Sequence, residues 1–200
     1  MAIRSPNVAI PAAPDTFQFP PSLARYNVSI PDYFRANASI SGLIVGAVVF
    51  SGDHVLLIQR AASDFAPLMW EIPGGTCEAQ RDPTVLHSLA RELREETGLH
   101  LRSIKKFIDE VDFGDDRKPD FTWRKVTFEV EVEEGHGSGQ SQSKGAITAA
   151  VKLDPNEHQN WGWASKREVE QGKWERGQLQ SMEVQHATIL AAFRNRGGPM

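Results

Sequence analysis

The sequence contains a single cysteine, Cys77, and lacks the features of secreted and membrane-spanning proteins. One cysteine cannot form an internal disulfide, which fits a reducing compartment. Three prolines interrupt the N-terminal stretch "MAIRSPNVAIPAAPDTF", so it does not resemble a signal peptide. No apolar run approaches the roughly 20 residues of a membrane span. We therefore expect a soluble, cytoplasmic protein that does not bind a membrane.

The chain also lacks an excess of positive charge. Its formal net charge is −4, with 24% charged and 40% hydrophobic residues. This balance gives no reason to expect a nucleic-acid polymer as partner, and it is ordinary for a globular protein. A length of 200 residues predicts one domain with an extension.

Residues 1–40 lack the periodicity of a regular helix or strand and are rich in proline. Aromatic residues are dense in their second half: Phe17, Phe19, Tyr26, Tyr33 and Phe34. Such a composition predicts an arm that packs on the domain rather than a free tail. We assign 1–40 to this N-terminal extension and 41–196 to the main domain.

The main domain mixes strand and helix patterns. A continuous β-branched run from Leu43 to Phe50 predicts a buried strand. Further strands are predicted at 54–60, 70–72, 103–113, 121–133 and 146–153. A capping box at Ser165 and Glu168 marks a short helix after another strand. Such a mixture predicts an α/β or α+β fold.

Two longer helices are predicted. The first runs from Pro83 to Thr97, with Asp82 as its N-cap and Gly98 just after its end. The second covers 179–196. Its packing stripe is predicted to include four apolar side chains: Met182, Ile189, Leu190 and Phe193.

The first helix carries an unusual set of acids at its C-terminal end. Glu92, Glu95 and Glu96 are spaced i, i+3 and i+4, so they share one face. Negative charge is disfavoured there by the helix dipole, and like charges repel unless a cation intervenes. A solvated charged face is the alternative. The Gly74–Gly75 turn precedes the helix, and carboxylate and carbonyl oxygens together favour Mg²⁺ and a phosphate substrate.

The segment "GGTCEAQRDPTVLHSLARELREETGL" resembles the box of the Nudix hydrolase superfamily, G-x5-E-x7-R-E-U-x-E-E-x-G-U with U apolar. The second half of that pattern is matched without a gap by Arg91, Glu92, Leu93, Glu95, Glu96, Gly98 and Leu99. The flanking segments also agree, so the resemblance covers roughly residues 42–194. It implies an α/β/α sandwich with a mixed β-sheet and a catalytic loop-helix, to which the N-terminal extension is added.

The first half of the box departs from the pattern. Gly75 and Arg91 are 91 − 75 = 16 positions apart, two more than in the family. The early glutamate of the pattern, which braces the loop in the family, has two candidate counterparts here, Glu78 and Asp82. We therefore expect an altered loop with metal binding intact.

The resemblance implies roles for individual residues. Glu92, Glu95 and Glu96 would coordinate Mg²⁺ or Mn²⁺ with the Gly75 carbonyl, and Arg91 would orient a box glutamate. The general base would be a box glutamate or an acid from a later loop, for which Glu157 is a candidate and a surface acid the alternative.

Substrate contacts are less strongly marked. The Gly74–Gly75 turn allows close approach to a ligand, and Arg60 is either a phosphate contact or an exposed residue at a strand end. Four strand cations either add positive potential or are solvated: Lys105, Lys106, Arg124 and Lys125. Three tryptophans either stack on a base or, as we favour, pack: Trp70, Trp123 and Trp163.

Other residues with reactive side chains give weaker signals. His87 and His158 have no partner spacing typical of a zinc site. Cys77 lacks a His and acid pair that would make it a nucleophile, so a partly buried structural thiol is favoured.

The function implied by the resemblance is Mg²⁺-dependent hydrolysis of a diphosphate linkage in a small-molecule substrate of the nucleoside-diphosphate type. Inositol pyrophosphates, dinucleoside polyphosphates and prenyl diphosphates are alternatives. A non-catalytic module that senses a nucleotide is another, because the box loop is longer. A homodimer is also open, since family members often dimerise.

Overall fold

A mixed β-sheet between two helices organises the computed structural model, which describes residues 16–115, 117–135 and 144–196. The strands are β1 Gly42–Ser51, β2 His54–Arg60, β3 Trp70–Glu71, β4 Leu101–Asp115, β5 Lys118–Val132, β6 His158–Ser165, β7 Lys173–Trp174 and β8 Gly177–Gln178. The α-helices are α1 Ile30–Ala36, α2 Val85–Thr97, α3 Lys144–Ala150, α4 Lys166–Gln171 and α5 Glu183–Arg196. Short 3-10 helices cover Pro21–Tyr26 and Glu133–Gly135.

The main sheet has the order β3-β2-β1-β5-β4, and β6 pairs with β2. Strands β1 and β5 are parallel, whereas β4 is antiparallel to β5 and β6 is antiparallel to β2. The α/β fold with a mixed sheet predicted from the sequence is confirmed. None of the helices in the described ranges is long and apolar enough to cross a membrane.

Alternation along β1 divides the core between the two faces of the sheet. Val45, Ala47 and Val49 belong to a cluster that includes the leucines of α2. Val48 and Phe50 belong to a second cluster with the buried side chains of α5. The sheet is therefore covered by α2 on one face and α5 on the other, which gives the sandwich.

The described part of the N-terminal arm packs into the first of these clusters. Tyr26 is almost completely buried, and its ring stacks on Phe107 and meets Phe128 edge-on. Gln18 bridges to β4 through backbone hydrogen bonds. The arm is thus part of the α2 side of the core, in agreement with the packing that its aromatic residues predict.

The predicted strand at 146–153 is wrong, because Lys144–Ala150 forms a helix. Ile147 is fully buried and Val151 lies four residues later, which is a helical spacing. The indole Nε1–H of Trp163 donates to the Thr148 hydroxyl at 2.9 Å, which ties this helix to β6.

Helix α2 begins later than the predicted Pro83. Thr84 is the N-cap, and its hydroxyl accepts a hydrogen bond from the His87 N–H. The Asp82 carboxylate is not available as a cap because it bonds to Arg91 and to the Glu78 N–H. The predicted end is confirmed, since Gly98 has a left-handed φ of 71°.

The last helix also begins later than predicted, at Glu183. Its predicted apolar stripe is only partly right, because Ile189 is buried while its other three members are half-buried. Its most buried side chains include two polar ones, Gln185 and Thr188. Gln185 is bonded to the buried Glu71, and Thr188 to the half-buried Asp109.

Candidate active site

The C-terminal half of α2 carries the three acids of the box, but their side chains point in different directions. Glu92 faces the glycine turn, Glu95 faces two arginines, and Glu96 points into the interior beside β6. The single carboxylate face expected from helical spacing therefore divides among three environments.

Arg91 is the buried centre of the loop-helix. Its Nε and Nη2 atoms donate to the two Asp82 oxygens at 2.7 and 2.9 Å, which is a bidentate pair. Nη2 also donates to the Thr76 carbonyl at 2.9 Å. Nη1 reaches Glu92 Oε1 at 2.8 Å and Glu95 Oε2 at 2.9 Å. Asp82 is thus the acid that braces the lengthened loop.

The glycine turn runs alongside β1 and leaves no room for side chains. A Cβ at Gly74 would lie 2.1 Å from the Val45 carbonyl oxygen, and the φ of 153° is also unusual for other residues. The Gly75 carbonyl accepts the Val45 N–H at 2.9 Å. A carbonyl oxygen has two lone pairs, so one remains for a further partner.

Glu92 lies directly against this turn. A Cβ at Gly75 would come within 2.5 Å of Glu92 Oε2, so only glycine lets the carboxylate approach the backbone. Burial raises the pKa of Glu92 to about 7, although Arg91 opposes the shift. The carboxyl is therefore poised between its neutral and charged forms near neutral pH.

Glu96 is the most deeply buried of the three acids. The Gly74 N–H donates to its Oε2 atom at 2.6 Å. Burial, followed by the nearby charges of Glu71, Glu92 and Glu157, raises its pKa well above the ordinary value. Crowding of this kind is relieved by a proton or by a cation.

Glu95 has a different environment, because its side chain is 40% exposed and ion-paired. It pairs with Arg81, which belongs to the lengthened loop, as well as with Arg91. Two positive charges already balance it in this structure.

The structure brings Glu157, the residue just before β6, and His158, the first residue of β6, to Glu96. Glu157, Glu96 and His158 each offer a ligand atom, and these atoms lie within 4.8 Å of one another. Glu157 is exposed and His158 is buried. Glu157 was a candidate from the sequence, whereas spacing gave no reason to place His158 at this site.

A second buried acid, Glu71 on β3, adjoins the same histidine. His158 Nε2 lies 3.3 Å from Glu71 Oε1 and 3.8 Å from Glu96 Oε1. Arg60 Nη1 donates to Glu71 Oε1 at 2.6 Å, and Gln185 Nε2 donates to Glu71 Oε2 at 3.3 Å. Glu71 was not predicted from the sequence, because an acid in a two-residue strand gives no signal.

Arg60 is only partly available to a ligand. Besides Glu71, its guanidinium pairs with Asp64 and donates from Nε to the Phe65 carbonyl at 2.6 Å. The candidate phosphate contact therefore organises the loop after β2 in this structure.

Lys125 is buried among the acids, so the solvated position favoured for it is wrong. Its Cε atom would lie 2.9 Å from a Cβ at Gly46, so glycine on β1 makes room for it. Burial lowers the pKa of Lys125 to about 8, although Glu71, Asp109 and Glu96 oppose the shift. The Thr188 hydroxyl donates to Asp109 at 2.7 Å, which ties α5 to this region.

The other strand cations form ion pairs. Lys105 pairs with Glu131 and Lys106 with Glu129, both at 3.3 Å. Arg124 donates to both oxygens of Asp112, at 2.7 and 2.8 Å. Paired side chains of this kind leave little free positive charge at these positions.

The tryptophans and the cysteine are mainly structural. Trp70 is buried and meets Trp174 edge-on, while Trp123 is half-buried beside Phe121. Cys77 is buried, and burial raises its pKa to about 12. The thiol is therefore neutral and unsuited to nucleophilic attack.

The residues present fit a hard divalent cation. Their oxygen donors are the carboxylates of Glu92, Glu96 and Glu157 and the Gly75 carbonyl, which suit Mg²⁺ and Mn²⁺, and the His158 imidazole lies beside them. The His158 Nδ1 atom is buried and has no hydrogen-bond partner among the described residues. Acids with raised pKa values lie beside the Gly74–Gly75 turn, so the same region favours a positive charge.

Comparison with known proteins identifies the protein family of this chain. A family model described as the NUDIX domain matches residues 41–185, which is most of the chain. No curated protein matches the sequence significantly.

Several solved structures share the fold. The MutT NUDIX hydrolase from Burkholderia pseudomallei has 17% identity and a TM-score of 0.53, covering 74% of this chain and 95% of its own. The MutT protein from Methanosarcina mazei Go1 has 18% identity and a TM-score of 0.56, with coverages of 80% and 98%. The NUDIX domain of Shewanella oneidensis NrtR, solved with ADP ribose, has 20% identity and a TM-score of 0.55, with coverages of 82% and 97%.

Proposed function

We propose that this chain, which belongs to the NUDIX family, hydrolyses a diphosphate linkage in a substrate of the nucleoside-diphosphate type with a divalent cation. Family membership makes the protein a Nudix hydrolase, and the substrate and the cation are the proposal. The observation that carries it is the group of Glu96, Glu157 and His158 beside the glycine turn. Carboxylates that crowd a buried position favour a metal-assisted reaction at phosphorus.

The cation would be held by Glu92 and Glu96, with the Gly75 carbonyl as a further donor, which leaves Glu157 for the attacking water. Mg²⁺ or Mn²⁺ at this position supplies charge stabilisation for the phosphate oxygens and the leaving group. Glu95 would act beside them, as the sequence predicts, after exchanging one of its arginine partners. Arg91 keeps Glu92 and Glu95 in place through its bonds to both.

The attacking water needs a group that accepts its proton. Glu157 is the exposed acid of the cluster, so it can meet both solvent and substrate. Its neighbour His158 is buried and contacts Glu71, which suits a role in fixing the loop. We assign the general base to Glu157 and the support of its position to His158.

A nucleoside-diphosphate substrate is supported by the likeness of the fold to a NUDIX domain that was solved with ADP ribose. Inositol pyrophosphates, dinucleoside polyphosphates and prenyl diphosphates stay alternatives. The predicted cytoplasmic location and homodimer likewise stay predictions, as does the assignment of residues 1–40 to an extension.

The test is hydrolysis of a panel that contains ADP-ribose, a dinucleoside polyphosphate, an inositol pyrophosphate and a prenyl diphosphate, with Mg²⁺. Wild-type protein is expected to prefer the nucleoside-diphosphate substrate. Glu96→Gln should lower kcat by about 10²-fold or more, because it removes charge stabilisation at the reacting phosphate. Glu170→Gln is the control, since that exposed acid pairs with Lys166 on α4.

Each variant is checked by thermal melting, so that loss of fold is separated from loss of activity. Equal kcat for Glu96→Gln and Glu170→Gln would overturn the site. Turnover unchanged by Glu95→Gln would remove Glu95 from the ligand set. Tight nucleotide binding without turnover of any substrate would favour the sensor role that the sequence left open.

A further inference from the structure

The loop between β2 and β3, residues 61–69, exposes apolar side chains next to the candidate active site. Phe65 is 61% exposed and Leu68 is 48% exposed. Within the described ranges, these two are the large hydrophobic side chains that face solvent. Exposed apolar groups that lie together mark binding surfaces more often than isolated ones do.

Arg60 joins this loop to the buried acids. Its Nε atom donates to the Phe65 carbonyl at 2.6 Å, and its Nη1 atom donates to Glu71 at 2.6 Å. Glu71 in turn contacts His158. The Ala61 N–H donates to the Glu157 carbonyl at 2.8 Å. One guanidinium group and one backbone hydrogen bond therefore place the loop at the rim of the metal-binding region.

The backbone of the loop is held in an uncommon conformation. Ala66 and Leu68 have φ values of 52° and 64°, the left-handed region that costs a side-chain-bearing residue free energy. The Gln59 side-chain amide donates to the Leu68 carbonyl at 3.0 Å, and the Arg60 N–H donates to the Met69 carbonyl at 3.0 Å. These bonds fix the loop while its apolar side chains stay in solvent.

A positive charge lies over the same Phe65 ring. The Arg117 guanidinium carbon, at the turn between β4 and β5, lies 5.0 Å from the centroid of the Phe65 ring. The loop and the adjoining turn thus offer an aromatic ring, an exposed aliphatic side chain three residues later and a cation. A planar heteroaromatic ring attached to a polyanion matches all three features.

We propose that Phe65, Leu68 and Arg117 form the surface that binds the base of the substrate, while the diphosphate lies at the carboxylates. This inference rests on the proposed function, because it assigns the part of the substrate that the metal site does not contact. A prenyl chain fits less well, since the two apolar side chains are bordered by the charged groups of Arg60, Asp64 and Arg117.

The experiment compares kcat/KM for ADP-ribose with kcat/KM for a base-free sugar diphosphate. Phe65→Ala should raise KM for ADP-ribose by about 5- to 100-fold, the usual effect of losing a stacking partner. It should leave kcat and the base-free reaction unchanged. Phe65→Tyr should keep most of the affinity, because the aromatic face is retained.

Arg117→Met should raise KM for ADP-ribose in the same direction, and Arg102→Met is its matched control. Arg102 is an exposed arginine on β4 that pairs with Glu133 and lies away from the loop. Binding of a methylene-bridged ADP analogue, followed by calorimetry, should weaken in Phe65→Ala with the same ratio as KM. This measurement does not depend on turnover.

The outcomes separate this inference from the proposed function. If wild type cleaves ADP-ribose but Phe65→Ala leaves its KM unchanged, or weakens both substrates equally, the base-binding surface is wrong and the proposed function stands. If wild type cleaves only prenyl or inositol substrates, the proposed function fails and this inference fails with it.

Discussion

Glu95 and Glu96 are neighbours in sequence but have opposite surroundings. Glu95 is partly exposed and balanced by Arg81 and Arg91, whereas the side chain of Glu96 is 6% exposed. Within the described residues Glu96 has no arginine or lysine at ion-pair distance, and its close partners are the Gly74 N–H and His158.

This difference shows how one acidic motif serves two purposes. On the Glu95 side, arginines hold the lengthened loop against the helix. On the Glu96 side, burial and the charges of Glu71, Glu92 and Glu157 surround a carboxylate that has no direct arginine or lysine partner among the described residues, which is a condition that favours a metal ion. The following predictions perturb first one side and then the other.

The largest effect on stability is expected from Asp82→Asn, on the arginine side. Arg91 would lose the charge of its bidentate partner in a buried position, which costs about 3 kcal/mol in free energy of unfolding. Urea unfolding measures it. Asp32→Asn is the control, because Asp32 forms an exposed pair with Arg35 and should change stability much less. Equal losses in the two variants would contradict the bracing role of Asp82.

A smaller effect is expected at Glu92, on the Glu96 side, and it is measured as the change in the free energy of unfolding with pH. The pKa of Glu92 is raised from 4.5 to about 7, so the folded chain binds this proton more tightly than the unfolded chain does. The resulting stabilisation is fully present below about pH 4.5 and is lost as the pH rises through about 7. In EDTA, the free energy of unfolding should therefore fall between pH 5 and pH 8.

Glu92→Gln should flatten this dependence, because it removes the titrating group. Magnesium affinity of the wild type should rise over the same pH range, since the ligands must lose their protons. Chemical unfolding and calorimetry measure the two quantities. The same pH dependence in wild type and Glu92→Gln would show that the pKa of Glu92 is not raised.

The smallest effect is expected from Arg81→Ala. Its pairs with Glu78 and Glu95 are partly exposed, so the change in free energy of unfolding should be below about 1 kcal/mol. Activity should stay close to wild type, because Arg91 still holds Glu95. A loss in kcat as large as that of Glu96→Gln would mean that the two acids do not differ as described.

The sequence predicted the features that depend on local pattern. Strand β2 has the predicted bounds, the capping box of Ser165 and Glu168 is present, and α2 ends at Gly98. The α/β fold followed from the same patterns and from the resemblance of the box. Periodicity, caps and left-handed glycines are encoded by neighbouring residues, which is why they could be found.

What the sequence missed depends on contacts between distant segments. The local pattern predicted Asp82 as a helix cap and left it one of two candidates for the bracing acid, but only its contact with Arg91, nine residues later, shows that both its oxygens are used there. Glu71 and His158 meet only because β3 and β6 flank β2. Lys125 has the pattern of a solvated strand residue, and only the structure shows that Gly46 on the neighbouring β1 leaves room for its buried side chain.

The folded core extends beyond the segment that the family model matches, because the N-terminal arm packs into it. Tyr26 and Tyr33 lie in the core shared with α2, although the family match begins only at residue 41. A buried side chain of this size contributes about 2 kcal/mol relative to an exposed one. We therefore expect substitutions at these tyrosines to be tolerated no better than those at Phe128. A chain trimmed to the segment that the family model matches would expose the part of the core that Tyr26 and Tyr33 cover. We expect such a chain to be prone to aggregate.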